Sequence, residues 1–271
     1  MSYDIRAKGM VMELHRNVEV FGDSILKGIQ LDDGSMRYHV DNNIDVEMLE
    51  KKFLLNISNF SKFGCTISKA YSLIERRFRG NKIHDDKSTG DNIMNDPAKN
   101  KRAVCHAIVL NLGGNDCDFD WKAVAENPDD DHEPNTPLDV FYDTYKKIIE
   151  FLKANGIKPI LTTLPPLDAQ RFYNWFCSGF DKSANIIKWL GTVESIYRWQ
   201  ENYSRTIEKI AEETGTLLVD LRGAFLKHRR LEHLLCADGA HPNTEGQRVI
   251  TQGFLEFIEM AKAKGKIEIY A

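Results

Sequence analysis

Two short stretches at opposite ends of the chain carry residue types that can do chemistry together. Gly22-Asp23-Ser24 follows the apolar run at residues 18–22 (VEVFG). A glycine at the end of a strand permits a tight turn, so Ser24 opens the next helix. A serine there offers a free hydroxyl, and its own N–H is one of the helix-start donors without an intrahelical acceptor. The helix dipole favours negative charge beside it. That suits a nucleophile that must hold an oxyanion, although serine is also an ordinary helix cap. Near the C-terminus, Ala237-Asp238-Gly239-Ala240-His241-Pro242-Asn243 places a carboxylate and an imidazole three residues apart. The carboxylate can fix the imidazole tautomer and favour the imidazolium formed when the ring takes up a proton. A plain surface turn is the alternative. A metal pair is a poor fit, because no further His or carboxylate stands at ligand spacing.

Two more turns could supply oxyanion donors. Asn59-Phe60-Ser61-Lys62-Phe63-Gly64-Cys65-Thr66 contains a glycine whose backbone N–H could face a cleft. Asn111-Leu112-Gly113-Gly114-Asn115-Asp116 offers the Asn115 amide after two glycines that leave room for substrate. Each also reads as an ordinary loop. Their joint occurrence with the Ser, His and Asp is the stronger signal: a nucleophile, a base, its orienting carboxylate and three oxyanion donors, namely Ser24, Gly64 and Asn115.

Positioning these groups requires a sheet. Residues 18–22, 53–60, 103–114, 157–164 and 216–221 read as strands, the third being apolar enough to be buried on both faces. Helical patterns lie between them, at 67–78, 138–154, 193–214 and from Thr244 onward. Phe141, Tyr145, Ile148, Ile149 and Leu152 share one face of the second. The last should present Val249, Ile250, Phe254, Phe257 and Ile258, with Thr244 and Gln247 forming a capping box. Five strand–helix alternations predict a parallel sheet with helices on both faces. Ligands then sit beyond the carboxyl ends of the strands, just after Gly22, Phe60, Leu112 and Leu164. Residues 80–102 and 127–137 read as polar loops, the second a solvated acidic one rather than a calcium site.

The chain has 271 residues, 36 Lys+Arg against 40 Asp+Glu, and a formal net charge of −4. That length can bury roughly three quarters of the unfolded surface, so one domain over 1–271 is expected. The near balance of charge gives no reason to expect a nucleic-acid partner. Five scattered cysteines without CxxC point away from a disulfide framework or zinc module and toward a reducing compartment. No window approaches the ~20 apolar residues of a membrane span, and the N-terminal residues lack a secretory apolar core. A soluble, cytoplasmic protein is expected. Cys65, Cys117 and Cys236, each close to a candidate site residue, are expected to be buried small hydrophobes.

In these blocks the sequence resembles the SGNH hydrolase superfamily, the GDSL-type esterases and lipases. Gly22-Asp23-Ser24 is similar to the first block, with Ser24 at the nucleophile. Asn59 through Gly64 is similar to the second, and Gly113-Gly114-Asn115-Asp116 to the third. Asp238 through Asn243 is similar to the last, with Asp238 and His241 completing a triad. The resemblance covers residues 22 to 243 and implies a three-layer, flavodoxin-like α/β fold with a five-stranded parallel sheet. Ile25 stands where the commonest signature has Leu. The G-x-S-x-G elbow of other α/β hydrolases is absent around Ser24. The resemblance implies an esterase working through an acyl-enzyme, with no metal or organic cofactor. Its expected substrate is a short-chain acyl ester, an O-acetyl group on a small molecule or carbohydrate. An acyltransferase, a lysophospholipase or thioesterase, and a non-catalytic binding module are the alternatives. A flavin-binding flavodoxin is disfavoured, because residues 22–28 lack a Ser/Thr-rich phosphate cradle.

The segment at about 165–200 is longer and more aromatic than a minimal member of that superfamily needs. It holds Phe172, Tyr173, Trp175, Phe176, Phe180, Trp189, Tyr197 and Trp199. Because it follows the fourth strand it should lie near the rim, with Tyr173, Trp175 and Phe176 expected to touch substrate. Packing of an inserted subdomain or an oligomer contact would use the same residues.

Overall fold

The computed structural model describes residues 12–14, 17–32, 34–41, 45–79, 105–179 and 181–269. The loop expected at 80–102 lies outside the described residues. In chain order the elements are β1 (Met12–Leu14), β2 (Asn17–Gly22), α1 (Ser24–Lys27), β3 (Ile29–Asp32), β4 (Arg37–Val40), α2 (Val46–Phe53), β5 (Asn56–Asn59), α3 (Ile67–Arg79) and β6 (Ala107–Asn111). They continue with α4 (Trp121–Glu126), α5 (Leu138–Ala154), β7 (Lys158–Thr162), α6 (Ala169–Cys177), α7 (Ser183–Leu190), α8 (Glu194–Thr214), β8 (Leu217–Val219), α9 (Leu221–Leu226), α10 (Thr244–Ala263) and β9 (Ile267–Ile269).

The central sheet is parallel, in the order β5-β2-β6-β7-β8. Strand side chains alternate between faces, and the central strand β6 feeds two cores. Ile108 and Leu110 join Phe141, Tyr145, Ile148, Ile149 and Leu152 of α5, with Ile74 of α3 and Ile207 of α8. Ala107 and Val109 join Phe53 of α2, Phe225 of α9 and Ile250 of α10 on the other side. All five residues of β6 are buried, as its unbroken apolar run requires. A third cluster joins Trp121 and Val124 of α4 to Leu167, Ile186 of α7 and Ile196 of α8, with Phe172 and Phe176 of α6 packed on it.

Three features depart from the expectation. The stretch read as a strand from residue 53 begins with the last residue of α2. Asp45 caps that helix by accepting the Met48 N–H at 2.8 Å, and Leu49 and Phe53, one turn apart, bury its inner face. Only Asn56–Asn59 is left to pair with β2. The last helix is capped by Asn243, whose side chain accepts the Gly246 N–H at 3.1 Å, rather than by a Thr244–Gln247 box. Thr244 and Gln247 instead reach Gln30 Oε1 and the Ile25 carbonyl. Finally, an antiparallel hairpin, β3–β4, and a parallel pair, β1–β9, stand outside the central sheet. No helix among the described residues is long and apolar enough to cross a membrane.

Candidate active site

β2 ends at Gly22, where a Cβ would meet Ser61 Oγ at 3.0 Å and the Asn111 carbonyl at 3.2 Å, so the turn out of the sheet is tight. Asp23 caps the single turn of α1 by accepting the Ile25 N–H at 2.9 Å. Ser24 therefore stands at the first helical position rather than at the cap, which leaves its hydroxyl free of capping duty. That hydroxyl lies 2.9 Å from His241 Nε2.

The imidazole arrives on the loop before α10. Cys236 donates its N–H to the His241 carbonyl at 2.8 Å, and Gly239, with φ +70°, turns the chain between Asp238 and His241. His241 Nδ1 lies 2.7 Å from Asp238 Oδ2. The other oxygen, Oδ1, accepts the Ala240 and His241 N–H groups, each at 3.0 Å. Asp238 is 1% exposed. Burial alone would raise its carboxyl pKa, but the His241 ring and these two N–H donors outweigh it and hold the pKa below the ordinary value. A hydroxyl, an imidazole and a buried carboxylate thus form one continuous hydrogen-bonded line, able to move a proton off the hydroxyl.

Asn115 reaches the same place from the turn after β6. Its amide Nδ2 lies 3.3 Å from Asp23 Oδ2 and 3.3 Å from the Cys65 carbonyl. Asp116 organises the neighbouring turn by accepting the Ile67 N–H and the Thr136 hydroxyl. Burial pushes the carboxyls of Asp23 and Asp116 up to about 6, despite the N–H donors that oppose it. Gly64 adopts φ +64° in the turn between β5 and α3, with open space where a side chain would be. The adjacent Phe63, 56% exposed, lays its ring parallel to His241 at 6.1 Å. Cys65, Cys117 and Cys236 are buried, and burial raises the Cys65 thiol to about 11.

Ser24, Asn115 and His241 open into a cleft of about 630 Å3. Its apolar wall comes from Phe119, Trp121, Phe172, Trp189 and Trp199, with Leu164 and Leu167. Asp118, His132, Glu133 and Gln200 interrupt that wall with polar groups. Of the aromatic segment it is Phe172, Trp189 and Trp199 that line the cleft, whereas Tyr173, Trp175 and Phe176 do not. Phe176 stacks on Trp121 at 4.4 Å, and Tyr173 packs on Phe176 and donates its hydroxyl to the Ser183 carbonyl. Trp175 sits one ring removed from the imidazole, edge-on to Tyr38 at 6.3 Å. Tyr38 itself, on β4, reaches the site by a route the motifs do not reveal; its hydroxyl donates to Asp238 Oδ2 at 3.0 Å. Among the described residues no group of three or more His, Cys, Asp or Glu is arranged to hold a metal ion.

A parallel α/β sheet carrying this line of groups at the carboxyl ends of its strands defines a protein of the hydrolase class. The sequence profile of the GDSL-like lipase/acylhydrolase family matches residues 20–249, and the chain belongs to that family. It is a carboxylic ester hydrolase. Solved structures share the fold at low identity. A lipase/acylhydrolase from Enterococcus faecalis is 16% identical, with TM-score 0.59 over 90% of this chain and 95% of the other. A catalytic mutant of Axe2, an acetylxylan esterase from Geobacillus stearothermophilus, is 18% identical, with TM-score 0.57 over 90% and 94%. A GDSL-like lipase from Bacteroides thetaiotaomicron is 17% identical, with TM-score 0.53 over 91% and 89%. No curated protein sequence matches the chain significantly.

Proposed function

We propose that the chain is a serine esterase that removes a short acyl group, an O-acetyl, from a carbohydrate or similar small polyol. The observation that carries this reading is the hydrogen-bonded line from Ser24 Oγ through His241 to Asp238 at the mouth of an aromatic cleft. In the first half-reaction Ser24 Oγ attacks the ester carbonyl as its proton passes to His241 Nε2. The Ser24 N–H, the Gly64 N–H and the Asn115 amide hold the tetrahedral oxyanion. The C–O bond to the alcohol breaks, and the alcohol leaves with the proton from His241. Water, deprotonated by the same ring, then attacks the acyl-Ser24 ester and releases the carboxylic acid. Asp238 holds the ring with its Nδ1–H inward, so that Nε2 faces Ser24 as a base.

The cleft favours a carbohydrate alcohol. An acetyl group occupies a small part of about 630 Å3, so most of the space serves the rest of the substrate. Flat Trp and Phe faces interrupted by Asp118, Glu133 and Gln200 suit a ring with an apolar face and hydroxyls at its edge. The acetylxylan esterase among the similar folds agrees with that choice.

Chain-length profiling on nitrophenyl esters, acetate release from acetylated xylooligosaccharides and organophosphonate labelling test the proposal. The expected result is a preference for acetate esters, free acetate from the sugar, and the label on Ser24. A preference for long acyl chains would move the substrate to lysophospholipids, and acetyl transfer to added sugar would make the enzyme a transferase. An unlabelled Ser24 with no ester cleavage would leave only a binding module.

A further inference from the structure

Asp238 Oδ2 is shared by two donors, His241 Nδ1 at 2.7 Å and the Tyr38 hydroxyl at 3.0 Å. We propose that Tyr38 is a positioning residue of the active site, fixing the Asp238 carboxylate in the imidazole plane and closing one face of the imidazole with its own ring. The proposal rests on the reading of Ser24, His241 and Asp238 as a triad.

Tyr38 comes from the β3–β4 hairpin, 200 residues away in sequence from Asp238. Its ring lies 5.0 Å from the His241 ring at 57°, and Phe63 lies parallel to the imidazole at 6.1 Å. Tyr38 and Phe63 also touch each other, with centroids 5.6 Å apart. The three ring centroids form a nearly equilateral triangle, so Tyr38 and Phe63 together cover one side of the imidazole while its Nε2 stays toward Ser24. The hairpin is tied to the catalytic loop a second time, where the Leu31 N–H donates to Cys236 Sγ at 3.4 Å. With Tyr38 in place, Asp238 accepts four hydrogen bonds, two at each oxygen. The carboxylate has no room to rotate away from the ring. Burial and the neighbouring Asp238 charge raise the Tyr38 pKa far above neutrality, so the phenol remains a donor throughout the working range.

The second donor also tunes the base. A hydrogen bond to Oδ2 draws charge from the atom that holds the imidazolium, so removing it strengthens the attraction of Asp238 for the protonated ring. The other titratable groups against this pair are Asp23 beside Ser24, Cys236 on the loop and Arg171, whose stem packs on Gly239. None of them changes when Tyr38 loses its hydroxyl.

Tyr38→Phe keeps the ring and removes the donor. Its kcat/KM on nitrophenyl acetate should fall about 10-fold, the usual worth of a hydrogen bond to a charged group. KM should hold, and the acid limb of the kcat/KM–pH profile should move to higher pH. Tyr38→Ala should lose more, by uncovering the ring. Circular dichroism melting of both variants separates these effects from unfolding. Asp238→Asn measured alongside separates the two readings. If Asp238→Asn is crippled while Tyr38→Phe keeps wild-type rate and an unmoved limb, the positioning role is wrong and the triad stands. If Asp238→Asn is fully active, both fall.

Discussion

Replacing Asp238 by asparagine exchanges one carboxylate oxygen for an NH2 group and should nearly abolish turnover without unfolding the protein. The outcome follows from which oxygen is pinned. Oδ1 accepts two backbone N–H groups at 3.0 Å, so the asparagine carbonyl must occupy that position. The amide NH2 then replaces Oδ2, 2.7 Å from His241 Nδ1. One of its hydrogens must point at Nδ1, which has to become an acceptor. The ring proton is driven to Nε2, and the ring meets Ser24 with a donor where a base is needed. The other amide hydrogen can be accepted by the Tyr38 hydroxyl oxygen. Every hydrogen bond is therefore kept in number, and the unfolding free energy should move by no more than about 1 kcal/mol. Catalysis should lose about 10⁴ in kcat, the known scale for a triad base in the wrong tautomer. That is about 5 kcal/mol of transition-state stabilisation. The assay is steady-state hydrolysis of nitrophenyl acetate beside urea unfolding. A variant within 10-fold of wild type, with native stability, would refute the tautomer argument and with it the role given to Asp238.

Other outcomes follow from the same geometry. Ser24→Ala should cost at least about 10⁴-fold in kcat, and Asn115→Ala about 10²–10³-fold; equal losses would count against separate nucleophile and oxyanion roles. Burial raises the Asp118 carboxyl to about 6 although the Trp121 and Phe119 N–H groups oppose it. The native state therefore keeps a proton that the unfolded chain releases near pH 4, and this group's contribution to stability falls as pH rises from about 4 to 6. Asp118→Asn keeps the acceptor for both donors, so the advantage of pH 5 over pH 7 in urea unfolding should shrink by about 1 kcal/mol. An unchanged difference would mean the carboxyl is not raised. At Gly239, with φ +70°, a Cβ would come within 2.6 Å of Arg171 Cβ and of the Asp168 carbonyl. Gly239→Ala should lower stability by about 2 kcal/mol or more and slow turnover together; a wild-type melting temperature and rate would contradict the crowding.

Much of this architecture was legible in the sequence because burial wrote it there. The α5 pattern named the five residues that are in fact its buried face. The unbroken apolar run of β6 announced a strand covered on both sides. The turns after β2, β5 and β6 could be found because glycines and polar residues interrupt apolar runs. What stayed hidden depends on neighbours remote in sequence. Residue 53 looked like a strand start because Phe53 adjoins Leu54 and Leu55, yet Leu49 and Phe53 share a helix face. The hairpin had a local signal, alternating residues on either side of Asp33-Gly34. Nothing in that pattern tells Tyr38 that its partner stands 200 residues onward. Choosing among the rings of 165–200 had the same difficulty. Tyr173, Trp175 and Phe176 share a helix with Phe172, and only the packing of α4 and α7 decides which rings are spent on one another.

One backbone bond couples the wall of the cleft to the loop before α10. The Asp168 N–H, at the start of α6, donates to the carbonyl of Gly239, the residue after Asp238, at 2.8 Å. The helix that walls the cleft and the loop that carries His241 are thus riveted together. Any displacement of Phe172 by a bulky guest would therefore have to be accommodated without breaking the bond that holds the His241 loop. The cleft wall and the His241 loop are therefore one mechanical unit rather than two independent parts.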